Sequence, residues 1–204
     1  MKIHMMEQRS DEWFAVRLGK ITGTSFATVA NGKKATVETL CEKTAAERIT
    51  GLASESGYTN AAMERGIELE GQALELYATE NFASVRRVGF VELDEFIGVS
   101  PDGLVDDNGT LEIKCPERHT HLAYLTGSKS WKTYRWKIQG DIFVTGRHWC
   151  DFVSYNPDFP PHLQLFIDRE NVDAKNCDQL AAGMTHCRKR IQEILEKVNA
   201  NVPS

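Results

Sequence analysis

The hydrophobic positions follow a helical period over the first 80 residues and then change to that of strands. Residues 10–17 predict a short helix capped by Ser10, with Asp11 and Glu12 in its first turn and Trp13, Phe14 and Val16 for packing. Gly19 and Ile21-Thr22-Gly23-Thr24-Ser25 read as a turn leading into another helix. Val37, Leu40, Cys41, Ala45 and Ile49 give a helix over 36–50. The strongest helical pattern covers 59–80, with Asn60 as cap and a stripe of Met63, Ile67, Leu74 and Tyr77. From residue 85 the period shortens. Residues 85–93, 97–100 and 110–114 read as consecutive strands, the last reached through the turn Asp106-Asp107-Asn108-Gly109. A short helix at 119–126, a break at Gly127-Ser128 and a helix at 131–144 come next. Strands at Trp149–Tyr155 and Leu163–Ile167 then lead to an amphipathic helix over about 172–198. This order predicts an α/β fold with a mixed central sheet flanked by helices. No repeat, low-complexity tract or linker interrupts it, so residues 1–204 are expected to form a single domain.

Composition is that of a soluble globular protein, 41% hydrophobic and 26% charged. No apolar run reaches the roughly 20 residues that span a bilayer. Met1-Lys2-Ile3-His4 does not start a secretion signal, so the expected location is cytoplasmic. Cys41, Cys115, Cys150, Cys177 and Cys187 are odd in number and widely spaced, which excludes a disulfide framework and a zinc site and leaves most of them as small core residues. The net charge of -5 does not mark a nucleic-acid binder, but the charge is uneven. Lys114, Arg118, Lys129, Lys132, Arg135 and Lys137 fall in one stretch whose only acid is Glu117, interleaved with Tyr124, Trp131, Tyr134 and Trp136. Two readings stay open for it: a local track for phosphates, or a solvated loop with packing aromatics.

Chemistry concentrates at Pro101-Asp102 and Glu112-Ile113-Lys114. Side chains alternate along a strand, so Glu112 and Lys114 share a face while Ile113 points into the core. A hairpin at Asp107-Asn108-Gly109 brings Asp102 back beside that face. Two carboxylates, with the Ile113 carbonyl as a further oxygen donor, suit Mg²⁺ or Mn²⁺. Such an ion acidifies a bound water and neutralises charge on a phosphate, and Lys114 is placed to position that water, deprotonate it or hold the phosphate. Glu70 lies in the helical pattern among Ile67, Ala73, Leu74 and Tyr77. A carboxylate there needs a partner, which is either a cation such as Arg65 or one on a strand, or the metal site itself. His119 and His121 read as surface-loop residues rather than ligands.

The chain resembles the lambda exonuclease and YqaJ-type phage recombination nucleases, a branch of the PD-(D/E)xK superfamily. The resemblance runs from about residue 8 to 168. It is carried by Gln8-Arg9-Ser10-Asp11-Glu12-Trp13, Arg17-Leu18-Gly19-Lys20-Ile21-Thr22, and Arg65-Gly66 with Glu70 and Ala73. Gly98-Val99-Ser100-Pro101-Asp102-Gly103 and Leu111-Glu112-Ile113-Lys114-Cys115-Pro116 continue it. Ile138-Gln139-Gly140, Val144-Thr145-Gly146 and Trp149-Cys150-Asp151-Phe152-Val153-Ser154-Tyr155 complete it in the family order.

The resemblance implies a restriction-endonuclease-like core in which Asp102 and Glu112 are metal ligands, Lys114 is the catalytic lysine and Glu70 is the helix-borne acid. It implies that Arg17, Thr22 and Thr24 bind a 5′-terminal phosphate, and that Lys132, Arg135 and Lys137 face DNA. Members usually carry Ser where this chain has Thr24, and Gln-x-Gln-Gly-Gln where it has Lys137-Ile138-Gln139-Gly140-Asp141. Either Lys137 or Gln139 therefore takes the place of the active-site glutamine, and Gln139 is carried as a catalytic candidate. The implied activity is Mg²⁺-dependent 5′→3′ digestion of one strand of double-stranded DNA, leaving 3′ overhangs for phage recombination. A ring-shaped homotrimer, a single-strand annealing partner and a phage or prophage origin in a bacterial cell belong to the same implication. An endonuclease with the same metal site and an inactive DNA-binding module are the alternatives.

Overall fold

The computed structural model describes residues 1–54 and 61–200, and the side chains of all of these except 61–63. In chain order its elements are β1 (Lys2–His4), α1 (Asp11–Arg17), α2 (Phe26–Asn31), α3 (Lys34–Thr50), α4 (Ala61–Glu80), β2 (Val85–Arg86), β3 (Phe90–Glu92), β4 (Gly98–Val99), β5 (Gly103–Val105) and β6 (Gly109–Lys114). There follow α5 (Arg118–Leu125), α6 (Arg135–Thr145), β7 (Trp149–Tyr155), β8 (Leu165–Asn171) and α7 (Ala174–Ala200).

Ser10 caps α1, its hydroxyl accepting from the Trp13 N–H at 3.2 Å, with Asp11 and Glu12 complementing the helix dipole. Phe14, expected to pack, is instead 52% exposed. The expected cap Asn60 lies outside the described residues, as does the side chain of Met63. Of the remaining α4 stripe, Leu74 and Tyr77 pack inward with Ala73, whereas Ile67 lies on the solvent side.

The expected three-strand meander is corrected. Residues 85–93 are two strands, β2 and β3, that belong to different sheets. The break at Arg87-Val88-Gly89 lets the chain cross β1 closely: a Cβ on Gly89 would stand 2.3 Å from the Met6 carbonyl oxygen. One sheet is antiparallel in the order β1-β3-β4. The other has five strands, β2-β5-β6-β7-β8, in which β6 and β7 are parallel and the remaining neighbours antiparallel.

This mixed sheet separates two layers. Ala73 and Tyr77 of α4 cover Leu111, Ile113, Val153 and Tyr155 on one face. Ile138 and Ile142 of α6 cover Cys150 and Phe152 on the other. A third apolar cluster joins α2, α3 and α7 to the smaller sheet through Phe26, Val29, Cys41, Ala45, Leu180, Met184 and Ile191. Close approach of α6 to α2 depends on Gly140, where a Cβ would meet the Phe26 ring at 1.9 Å. Four cysteines, Cys41, Cys115, Cys150 and Cys187, are buried, and all five are free thiols.

The aromatic side chains of the basic stretch pack against the core. Trp131 and Tyr134 stack on Phe152 at ring separations of 6.0 and 5.6 Å, and the Trp131 indole N–H donates to Asp168 at 2.6 Å. His121 is not a loop residue. It is fully buried on α5, bridging the Ser154 hydroxyl and the Leu163 carbonyl at 2.8 Å each.

Candidate active site

The β5–β6 hairpin builds the site. Val105 pairs with Gly109 and Gly103 with Leu111, so the turn is the short segment Asp106–Asn108, with Asp106 in the left-handed region at φ 44°. The Arg147 guanidinium fastens it by donating to the carbonyls of Val105 (2.9 Å), Asp106 (3.1 Å) and Gly109 (2.6 Å). Just beyond the paired residues, Asp102 donates its N–H to the Leu111 carbonyl (3.0 Å) and accepts from the Ile113 N–H on Oδ2 (2.6 Å). Asp102 thus lies across from Glu112, its backbone bonded to the residue before it and its carboxylate to the residue after it.

Glu112 is fully buried and faces α6. Lys137 Nζ donates to its Oε2, while Lys114 Nζ lies 2.5 Å from Oε1. That second contact is an ion pair, and Lys114 donates as well to the Ile113 carbonyl at 2.9 Å. Lys137 also donates to Asp141 Oδ2 at 3.0 Å, four residues along the same helical face. Asp141 is fully buried, and its Oδ1 has no hydrogen-bond partner.

The field follows from this crowding. Burial, and then the neighbouring Glu112, push the Asp102 carboxyl up to about 7 against the pull of Lys114 and Lys137. Burial also pushes Glu112 upward, but the two ammonium groups outweigh it and hold the group below its ordinary range. Burial raises Asp141 to about 6 in spite of Lys137. Both lysines are held above their ordinary range by the carboxylates although burial opposes this.

These residues fit a hard divalent cation. Asp102, Glu112 and the Ile113 carbonyl offer oxygen donors of the right class, and the buried Glu112 carboxylate already draws a cation to each of its oxygens. The Lys114 ammonium already stands as a cation between Glu112 Oε1 and the Ile113 carbonyl. Among the described residues no three His, Cys, Asp or Glu side chains converge as a metal cluster, so the remaining positions around an ion would belong to water and substrate.

Glu70 reaches the same region from α4. It lines a cleft of about 720 Å³ with Asp102, Met6, Gln8, Arg9 and Arg87. Its nearest cation is Arg9, 3.9 Å away, rather than Arg65, which lies 3.9 Å from Asp158.

Arg17 forms a second polar group. Its guanidinium donates to Ser100 Oγ (3.0 Å) and Thr22 Oγ1 (3.4 Å) and lies over the Trp13 ring at 4.0 Å. Thr24, exposed, lies 3.3 Å from Thr22 between their hydroxyl oxygens. Burial lowers the Arg17 pKa to about 10, Asp141 opposing. Gly23 joins this group to the carboxylates: a Cβ there would be 3.2 Å from Lys137 Cγ and 3.7 Å from Asp141 Oδ1.

Lys137 and Gln139 point to different parts of the fold. Gln139 is buried and turned away, donating to Glu170 (3.1 Å) and the Asn171 carbonyl (2.8 Å) while accepting from the Asp173 N–H (2.9 Å). It ties the end of β8 to the start of α7, away from the carboxylates, whereas Lys137 stands beside Glu112. Lys137 is also turned inward rather than displayed toward solvent. Lys132 is exposed, and Arg135 lies 3.8 Å from Glu170; neither joins the carboxylates. Asp141, Ser100 and Arg9 were not singled out as site residues by the sequence. The i,i+4 spacing of Lys137 and Asp141 was the one available signal.

The fold has known counterparts. A family model described as a YqaJ-like viral recombinase domain matches residues 12–148. An alkaline exonuclease (LHK-Exo) from Laribacter hongkongensis superposes with a TM-score of 0.78 at 35% identity, covering 95% of this chain and 100% of that one. Its complex with dAMP matches equally well. A phage related exonuclease from Haemophilus somnus 129PT shares the fold, with a TM-score of 0.68 at 16% identity over 88% of this chain and 96% of that one. No curated protein sequence matches. Among the described residues no helix is long and apolar enough to cross a membrane. The mixed sheet flanked by helices is therefore of the restriction-endonuclease-like kind, and the chain belongs to the family of YqaJ-like viral recombinase domains.

Proposed function

We propose that this protein is a Mg²⁺-dependent 5′→3′ exonuclease that digests one strand of duplex DNA and leaves 3′ overhangs for recombination by single-strand annealing. The observation that carries the reading is Glu112, a fully buried carboxylate with a lysine ammonium at each oxygen, set beside Asp102 and the Ile113 carbonyl. Family membership and the similarity to an alkaline exonuclease support it, as does that relative's capture with dAMP, a mononucleotide of the kind this reaction releases.

Asp102, Glu112 and the Ile113 carbonyl would hold the ion, with Mn²⁺ an acceptable substitute. When bound, the ion supplies Lewis acidity and a more acidic water next to the scissile phosphate. Lys114 Nζ, held between Glu112 and the Ile113 carbonyl, is placed to orient the attacking water or to hold a phosphate oxygen. Glu70 contributes a further carboxylate from across the cleft. Arg17, with Thr22 and Thr24 beside it, receives the 5′-terminal phosphate, for which a guanidinium is a permanent fork-shaped partner. Lys132 and Arg135 bind the DNA backbone outside this centre. The single domain works in a bacterial cytoplasm as a phage-derived, ring-shaped homotrimer. The ring retains duplex topologically, so a strongly basic surface is not required, and a single-strand annealing protein takes over the exposed strand.

Linear duplexes with 5′-phosphate or 5′-hydroxyl ends, compared with closed circles, test the reading. Preferential digestion of the phosphorylated linear duplex is expected. Rapid cutting of closed circles would favour an endonuclease with the same centre, and binding without any cleavage would favour an inactive module.

A further inference from the structure

Glu112 carries two ammonium groups rather than one. Lys137 occupies Oε2, and Lys114 stands 2.5 Å from Oε1. Lys137 does not reach there by chance of a long flexible chain. Asp141, fully buried one helical turn further on, accepts from the same Nζ at 3.0 Å, and the turn at Gly23 closes over the lysine stem. The side chain is thus fixed at both ends of its reach, with its charge directed at the carboxylate that must receive an incoming cation.

A cation approaching Glu112 therefore meets a carboxylate already neutralised from two sides. For the ion to take Oε2, the Lys137 ammonium has to move off, and in a water-poor pocket that movement is costly unless a new anion receives it. Asp141 alone offers that ammonium one oxygen bond and has a second oxygen, Oδ1, unpartnered. A DNA phosphate is the anion that enters this centre during the proposed reaction, and Arg17 and Thr22 lie just across Gly23 from Lys137.

We infer that Lys137, positioned by Asp141, is a resident counter-cation of Glu112 that DNA phosphate displaces, so that the free protein holds divalent metal weakly and gains affinity for it when duplex binds. This rests on the nuclease reading above. Coupling between two ligands is reciprocal, so metal must strengthen duplex binding by the same factor.

The test is calorimetric titration of Mn²⁺ into the protein, alone and saturated with a 5′-phosphorylated duplex whose linkages resist hydrolysis. Wild type is compared with Lys137→Gln and with Lys137→Gln/Asp141→Asn. The double variant removes both charges and so avoids leaving Asp141 buried without its cation; circular dichroism verifies that it folds. In the absence of duplex, the double variant is expected to bind Mn²⁺ roughly tenfold more tightly than wild type, and duplex to strengthen Mn²⁺ binding by a correspondingly smaller factor, within the usual span of site-to-site coupling. Equal Mn²⁺ affinity of wild type and double variant without duplex, or an undiminished effect of duplex, overturns this inference alone. Absence of Mn²⁺ binding in every form, with and without duplex, overturns the nuclease reading and this inference with it.

Discussion

Two buried carboxylates stand on neighbouring strands, one step apart in register and on opposite faces of the sheet, and they are treated in opposite ways. Asp151 on β7 pairs with Leu111 of β6, while Glu112 pairs with Phe152. Both Asp151 oxygens are closed: Arg169 donates to them at 2.7 and 2.8 Å, and the Tyr77 hydroxyl donates at 2.6 Å. The guanidinium is itself packed on the Trp149 ring at 3.6 Å. Glu112 instead has one lysine ammonium at each oxygen, and Asp141 Oδ1 behind it has no hydrogen-bond partner. A planar, bidentate guanidinium locks both oxygens of a carboxylate at once, whereas two separate ammonium contacts can be exchanged one at a time. The first arrangement fastens α4 to the sheet, and the second leaves capacity for a ligand.

Variants on the two sides should therefore fail differently. The largest effect is expected from Lys114→Ala, which should lower cleavage of end-labelled duplex by about a hundredfold or more. Duplex binding and the midpoint of urea unfolding should change little. Asp151→Ala should do the reverse, removing about 2 kcal/mol of stability in urea titrations while cleavage per folded molecule persists. That figure lies below the range for fully buried pairs because the Arg169 side chain is 50% exposed. Loss of cleavage in folded Asp151→Ala equal to that in Lys114→Ala would erase the distinction. Arg17→Ala should reduce the preference for 5′-phosphorylated over 5′-hydroxyl ends by about tenfold, the worth of one charge-assisted hydrogen bond. Competition between the two duplexes in one reaction measures it.

The smallest effect concerns pH and a purely structural group. Burial holds His121 below the ordinary histidine value of 6.5, and its ring keeps hydrogen bonds to Ser154 and Leu163. The unfolded chain takes up this proton more readily than the folded one, so stability is fully present above about pH 7 and declines as pH falls below 6.5. His121→Gln should flatten that part of the urea-midpoint profile; an unchanged slope would assign it to other groups.

What was legible in the sequence was local chemistry. The Ser10 cap, the hairpin at Asp106–Gly109 and strand Trp149–Tyr155 each have a signal within a few residues, and all appear as read. Asp102, Glu112 and Lys114 came together because strand alternation and one turn suffice to place them. The strands missed, β1 and β5, have three residues each, too few to show a period. Strand β8 runs to Asn171 rather than Ile167 because an edge strand carries polar residues such as Asp168, Arg169 and Glu170 that hide its pattern. The choice between Lys137 and Gln139 stayed open in the sequence because packing against the sheet sets which face of α6 meets Glu112. Residues two apart on a helix point about 200° from one another, so Lys137 and Gln139 cannot both face Glu112. Asp141 shares the face of Lys137, but an acid at that spacing looks like any surface pair until the sheet it packs against is known. His121 carried no signal for burial, since its partners Ser154 and Leu163 are remote in sequence.

The decisive comparison is the Mg²⁺ dependence of mononucleotide release from a 5′-phosphorylated linear duplex by wild type and by Glu112→Gln, which keeps the side-chain shape and removes the charge. Wild type should release mononucleotides only when Mg²⁺ is present, and folded Glu112→Gln should release none at any Mg²⁺ concentration. Cleavage by wild type in excess chelator, or full-speed cleavage by Glu112→Gln, would contradict a metal-dependent centre built on Asp102, Glu112 and Lys114.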